Sequence, residues 1–228
     1  MAKRAASGFF GASGSGFKYG EALPKDFNIP SAFRWILDKD LTVNNPFDQV
    51  VMGPGARVMD CGAAVGTFSA AALEQGAGLV RCYEPIPENA AVLEANLKRY
   101  DGKARIIEAA LVPDGRKVAE LRGTGFPGNH SLIERPNDKG AVPVRAVSFR
   151  AEVLQFRPDL IKLDVEGAEY DLLASLRKDD LVETSCMFIE FHPITDRDSR
   201  LAAVKSFLAE EGFVVVKNRL RAFTLIKG

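Results

Sequence analysis

Apolar and polar positions change rhythm along this chain, and the changes outline a mixed α/β architecture. Short apolar runs of strand length recur at Ala56–Asp60, Leu79–Tyr83, Ala104–Glu108, Leu160–Leu163 and Met187–Phe191. Between them lie stretches whose apolar residues return every three or four positions, as Val92, Leu93, Leu97 and Tyr100 do. That is the spacing of one helix face. The helices predicted this way cover about residues 65–75, 88–100, 168–177 and 198–211. Strands alternating with helices at so short a period build a parallel, doubly wound sheet. The closing strands Phe213–Lys217 and Ala222–Ile226 are near enough in sequence to form an antiparallel hairpin.

The rhythm fails in two places. Between Val112 and Pro158 it gives way to alternating runs, Lys117–Leu121 and Val142–Phe149, around a Gly/Pro/Asn-rich piece from Gly123 to Gly140. No long apolar helix fits there, so a β-hairpin insertion between the third and fourth strands is expected, with a loop carrying Asn129, His130 and Ser131. Near the start, Ser7–Gly20 is rich in Gly and Ser, with Phe9, Phe10, Phe17 and Tyr19 interleaved. Ordering such a stretch costs much entropy, so it is expected to be a flexible arm. A short helix follows Pro30, over 31–41. The expected organisation is an arm and short helix over 1–43, then an α/β domain over 44–228 with its insertion at about 112–158.

Composition narrows the function classes. Lys plus Arg equals Asp plus Glu at 30 each, so the formal net charge is zero. Nothing in that balance draws the chain to nucleic acid or an anionic membrane. The expected partner is a small molecule or a polar polymer. The three cysteines Cys61, Cys82 and Cys186 sit in or beside apolar runs and form no C-x-x-C pair, which suits buried thiols in a reducing, cytoplasmic compartment. No apolar run is long enough to span a bilayer.

Candidate chemistry gathers where the predicted strands end. Val58-Met-Asp60-Cys-Gly62-Ala63-Ala64-Val-Gly66 is a buried strand ending in an acid, followed by Gly-x-x-x-Gly opening a helix. Gly62 allows a sharp turn and a close approach to a ligand, and the amides opening the next helix offer a positive dipole end. Asp60 at the strand end suits a cationic amino group. Glu84 stands 24 residues further on, at the tip of the neighbouring strand before Pro85, where a carboxylate can accept hydrogen bonds from a ribose diol. Together the two elements indicate a nucleoside-bearing cofactor. A dinucleotide site would place glycine where Asp60 stands, and an acid there repels a pyrophosphate.

Two later blocks bring further acids to the same rim. Ile161-Lys-Leu-Asp164-Val-Glu166-Gly-Ala-Glu169 delivers Asp164 to a strand tip, with Glu166 and Glu169 in the following turn and first helical turn. Glu169 reads as a capping charge there, whereas Asp164 faces the crevice. In Phe188-Ile-Glu190-Phe-His192-Pro193, His192 also follows a buried strand, and it is a candidate for catalytic or substrate contact. No metal site is expected, because alternation sends Glu190 and His192 to one side of their strand without bringing them to Asp164.

The blocks Met59–Ser69, Tyr83-Glu-Pro-Ile-Pro-Glu-Asn89, Ile161–Glu169 and Glu190–Pro193, in this order, resemble the FkbM-like family of class I methyltransferases. The resemblance covers about 54–228. It implies a Rossmann-like, doubly wound, seven-stranded mixed sheet with the last strand antiparallel. It also implies S-adenosyl-L-methionine as methyl donor, S-adenosyl-L-homocysteine as product, and O-methylation of a hydroxyl, often on a sugar or natural product. By position, Asp60, Gly62, Ala63 and Gly66 would hold the methionine end, Glu84 with Pro85 the ribose, and Glu108 with Ala109 the adenine. Asp164, bordering cofactor and acceptor, and His192 would flank the methyl-transfer point, with either as general base. The family commonly has Asn where this chain has Ala64. Rival readings are a catalytically silent, cofactor-binding interaction protein and an NAD-dependent oxidoreductase. N-methylation of a base usually needs an Asn/Asp-Pro-Pro-aromatic block, and Asp164-Val-Glu-Gly is not one.

Overall fold

The computed structural model describes residues 23–28, 30, 53–123, 130–133, 140–219 and 221–228. The Gly/Ser-rich arm, the helix expected over 31–41 and Asn129 lie outside them. In chain order the elements are β1 (Arg57–Cys61), α1 (Thr67–Glu74), β2 (Leu79–Tyr83), α2 (Pro87–Leu97, continued by a 3-10 turn to Tyr100), β3 (Ala104–Ile107) and β4 (Ala110–Val112). Then come β5 (Val118–Gly123), β6 (His130–Ser131), β7 (Ala141–Ser148), α3 (Phe149–Phe156), β8 (Leu160–Leu163) and α4 (Glu169–Ala174). The chain closes with β9 (Cys186–Glu190), α5 (Arg197–Glu210), β10 (Phe213–Arg219) and β11 (Ala222–Lys227).

Seven of the strands form one sheet in the order β10-β11-β9-β8-β1-β2-β3. Strands β9, β8, β1, β2 and β3 pair in parallel, and β11 runs antiparallel to both of its neighbours. The strand order reverses between β1 and β8, the place where open α/β sheets form a crevice outside the strands' carboxyl ends.

The two-residue period of the strands divides the core. Met59, Cys61, Tyr83, Ile161, Leu163, Met187 and Ile189 face α3, α4 and α5, through Phe149, Val153, Phe156, Leu172, Leu173, Val204 and Leu208. On the other face Val58, Val80, Cys82, Leu160, Cys186 and Phe188 meet α1 and α2 through Phe68, Ala71, Leu73, Leu93 and Leu97. All three cysteines are buried free thiols. Among the described residues no helix is long and apolar enough to cross a membrane.

The region between β3 and β8 is more than a hairpin. It forms a second sheet, β4-β7-β5-β6, in which β5 runs antiparallel to both β7 and β6 and β4 joins β7 in parallel. It also contains a helix absent from the sequence expectation, which carries the alternating run through the helix's first residue, Phe149. The extended run stops at Ser148, whose Oγ accepts the Ala151 amide, and α3 begins at Phe149. Phe149, Val153 and Phe156 stand at helical spacing and are buried against the main sheet. Glu152 on α3 accepts from the Tyr83 hydroxyl at 2.6 Å and from Arg81 at 3.0 Å, fastening this helix to β2.

Candidate active site

At the tip of β1 the chain turns through Gly62 (φ +80°), Ala64 (φ +48°) and Gly66 (φ +89°) before α1. The two glycines are demanded by neighbours within the protein. A Cβ on Gly62 would lie 1.9 Å from the Asp164 carbonyl oxygen, and one on Gly66 would lie 2.6 Å from Leu93 Cδ1. Whatever ligand approaches there, the bare Cα of Gly62 already serves the fold by letting the β1 and β8 tips touch. Helix α1 then starts with no side-chain cap and no acid in its first turn, leaving its positive end to whatever lies in the crevice.

Glu84 is buried beside this turn. Its Oε2 accepts the Ala64 amide at 2.9 Å, while Oε1 accepts the Ile86 amide at 3.0 Å and Asn89 Nδ2 at 3.2 Å. Burial raises its pKa, and these three donors pull it back. An ionised carboxylate has about four acceptor positions, so one remains, on Oε2, for a ligand. Pro85 is half-buried behind it. At the end of β3, Glu108 is exposed and Ala109 buried.

Asp60 lies deeper than the sequence suggested. It is completely buried, on the face toward α1, where Ser69 Oγ donates to Oδ2 at 2.6 Å. It pairs in register with Lys162 of β8, whose Nζ is 3.3 Å from Oδ1, 2.6 Å from the Gly62 carbonyl and 3.6 Å from Asp164 Oδ2. The cation beside Asp60 in this structure is therefore a lysine of its own sheet. No pattern of apolar spacing singles out Lys162, because it occupies an ordinary strand position.

The strand-end acids and His192 do come together. Asp164 follows β8, Glu190 ends β9, and these strands pair in parallel with Leu163 opposite Ile189. One ligand atom each from Asp164, Glu190 and His192 lies within 4.8 Å of the others. The expectation that Glu190 and His192 would not converge with Asp164 is overturned. Strand alternation ends with β9 at Glu190, so it no longer governs His192. Glu169 is fully buried, and its Oε1 accepts the Val165 and Gly167 amides at 3.0 and 3.1 Å, much as a capping acid does. The same oxygen lies 2.9 Å from His192 Nδ1, a contact the sequence did not disclose. Burial disfavours the His192 cation, but the Glu169 hydrogen bond and the charges of Asp164, Glu169 and Glu166 outweigh it and push the pKa up to about 9.

The inserted sheet reaches this cluster. Ser131 of β6 donates to the Glu166 carbonyl at 2.6 Å, and the tight Gly167 turn lies against Ile133 and Ile194. On the other flank, Asn96 of α2 exchanges two 2.9 Å hydrogen bonds with the Asn28 backbone and donates to the Val65 carbonyl at 2.8 Å. It ties the 23–28 segment to the glycine turn.

A seven-stranded sheet of this order, with an antiparallel β11 and a polar cluster at its parallel strand tips, has the fold of the Rossmann-like methyltransferases. The chain belongs to the FkbM methyltransferase family: the family described as "Methyltransferase FkbM domain" matches residues 60–215, more than half of its length. Methyl transfer is its class of reaction. No curated protein matches the chain.

Solved structures align with it at low identity. The FkbM methyltransferase of Methylobacillus flagellatus is 16% identical, over 75% of this chain and 43% of that one, with a TM-score of 0.49. The ribosomal protein L11 methylase of Lactobacillus delbrueckii is 18% identical, over 77% and 71%, at 0.43. An S-adenosylmethionine-dependent O-methyltransferase of Thermotoga maritima is 16% identical, over 76% and 60%, at 0.42. The aligned region thus spans less than half of the Methylobacillus protein.

Proposed function

We propose that the chain uses S-adenosylmethionine to methylate a hydroxyl of a small-molecule or glycan acceptor. The residues at the β1 and β2 tips fit that cofactor. The uncapped start of α1 suits a carboxylate, and the remaining acceptor position on Glu84 suits a ribose hydroxyl. Glu108 and Ala109, at the neighbouring β3 tip, border the adenine position. Asp60 acts indirectly: through Ser69 and Lys162 it braces the glycine turn. Bound there, S-adenosylmethionine supplies an electrophilic methyl group on a sulfonium.

The observation that carries the reading is the placement of Asp164 at the β8 tip, directly against that turn. Its amide donates to the Cys61 carbonyl at 3.1 Å, and its Oδ2 lies 3.6 Å from Lys162 Nζ, which also binds the Gly62 carbonyl of the turn. With a pKa of about 9, His192 holds its proton at neutral pH. Asp164, half-buried and reachable from the crevice, accepts the acceptor's hydroxyl proton. The protein's other contribution is orientation of oxygen and methyl in line.

Radiolabelled methyl transfer to a panel of hydroxylated acceptors tests this. Asp164→Asn is expected to lower turnover by about 10²- to 10⁴-fold while leaving S-adenosylhomocysteine affinity within about twofold, the 1.4 kcal/mol of a tenfold change being the threshold for a direct contact. Wild-type turnover in Asp164→Asn removes the assignment.

A further inference from the structure

His192 Nε2 faces three carboxylates at once: Glu166 Oε1 at 3.6 Å, Asp164 Oδ1 at 3.8 Å and Glu190 Oε1 at 3.9 Å. A charge-assisted hydrogen bond sits at about 2.7–2.9 Å, so each oxygen stands back by close to an ångström. The spacing is that of atoms arranged around a common centre. For bonds of about 2.1 Å to a cation, ligand atoms at right angles lie about 3.0 Å apart and opposite ones about 4.2 Å. The ligand atoms of Asp164, Glu190 and His192 all lie within 4.8 Å of one another, somewhat wider than that geometry, so binding would draw them together.

A second feature points the same way from behind the imidazole. Glu169 Oε1, already accepting two loop amides, takes His192 Nδ1 at 2.9 Å. A carboxylate on Nδ1 orients the ring with Nε2 outward, which is the usual support of a metal-ligating histidine; the proton that Nε2 carries at neutral pH passes to solvent when the cation binds. The ring has little freedom to turn away, because its side chain is only 9% exposed. Tyr170 reinforces the position by donating to the His192 carbonyl at 3.0 Å.

We propose that Asp164, Glu190 and His192 bind a divalent cation, with Glu166 at its border. Two carboxylate oxygens and one imidazole nitrogen suit Mn²⁺ or Zn²⁺ better than the all-oxygen shells preferred by Mg²⁺ and Ca²⁺. The role of the site rests on the methyl-transfer reading. The cation takes the acceptor's hydroxyl oxygen and lowers its pKa. The O–H bond breaks and its proton passes to Asp164 Oδ2. The electron pair left on oxygen forms the new O–C bond as the C–S bond breaks, and that bond's pair goes to sulfur. His192 then serves as a ligand rather than as a base.

Calorimetric titration of the metal-stripped protein with Mn²⁺, run beside titration with S-adenosylhomocysteine, separates this site from the reading it rests on. The expected result is one Mn²⁺ per chain. Glu190→Gln weakens it at least tenfold with S-adenosylhomocysteine affinity unchanged, and Glu169→Gln weakens it by about 10- to 100-fold. Should Glu169→Gln fail to fold, Glu190→Gln alone decides. Protein that binds S-adenosylhomocysteine but takes up neither Mn²⁺ nor Zn²⁺ at millimolar concentration overturns the cation site and leaves the methyl-transfer reading standing. Equal Mn²⁺ isotherms for wild type and Glu190→Gln overturn it as well. Mn²⁺ uptake without S-adenosylhomocysteine binding supports the site and removes the cofactor reading.

Discussion

Backbone conformation at single residues explains features that side-chain identity alone leaves obscure. Ala64 is the clearest. It sits at φ +48°, a left-handed conformation that Asn tolerates better than Ala. The resemblance set Ala64 against the Asn that the family commonly carries here. The φ value supplies a reason for Asn at this position: it relieves backbone strain while its amide still donates to Glu84. Ala64→Asn is therefore expected to stabilise the protein by about 0.5–1 kcal/mol, read as a higher urea midpoint with an unchanged slope. A lower midpoint contradicts this account of the turn.

Between elements, the junction of β1 and β8 holds the site together. Asp60 and Lys162 are cross-strand partners in register, both buried, and Lys162 also binds the Gly62 carbonyl. Removing one member of a buried pair leaves an uncompensated charge. Lys162→Met is expected to cost about 3–5 kcal/mol in urea unfolding, and the double variant with Asp60→Asn is expected to recover much of that. A loss within about 1 kcal/mol for the single variant, the worth of an exposed pair, would show that the two charges do not depend on each other.

This junction also shows what the sequence disclosed and what it withheld. Apolar runs announced all seven strands of the main sheet, because the central ones are buried on both faces and the others still carry short apolar runs. Asp164 and His192 were recognisable as strand-tip residues. Their convergence with Glu190 depends on the β8–β9 register and on the chain's course after β9, and neither is a local property. Helix α3 escaped notice because the alternation of β7 runs directly into Phe149. The only local marker of the break is the Ser148 cap. Lys162 and Asn96 acquire meaning from distant partners such as Gly62 and Asn28, 100 and 68 residues away.

For the molecule as a whole, the sheet sorts the chemistry along one rim. The β1 and β2 tips, with the glycine turn and Glu84, form the part suited to a nucleoside cofactor. The β8 and β9 tips, with Asp164, Glu190 and His192, form the part suited to the reacting oxygen. The inserted sheet touches the second part through Ser131 and the Glu166 carbonyl, so it borders the space an acceptor would enter.

The central claim is that these two parts divide cofactor binding from methyl transfer. Calorimetry with S-adenosylhomocysteine tests it most directly, comparing wild type, Glu84→Ala and Asp164→Asn. The account predicts one molecule bound per chain, at least tenfold weaker binding in Glu84→Ala and unaltered binding in Asp164→Asn. Absence of binding by the folded wild-type protein, or equal affinity in Glu84→Ala, would contradict it.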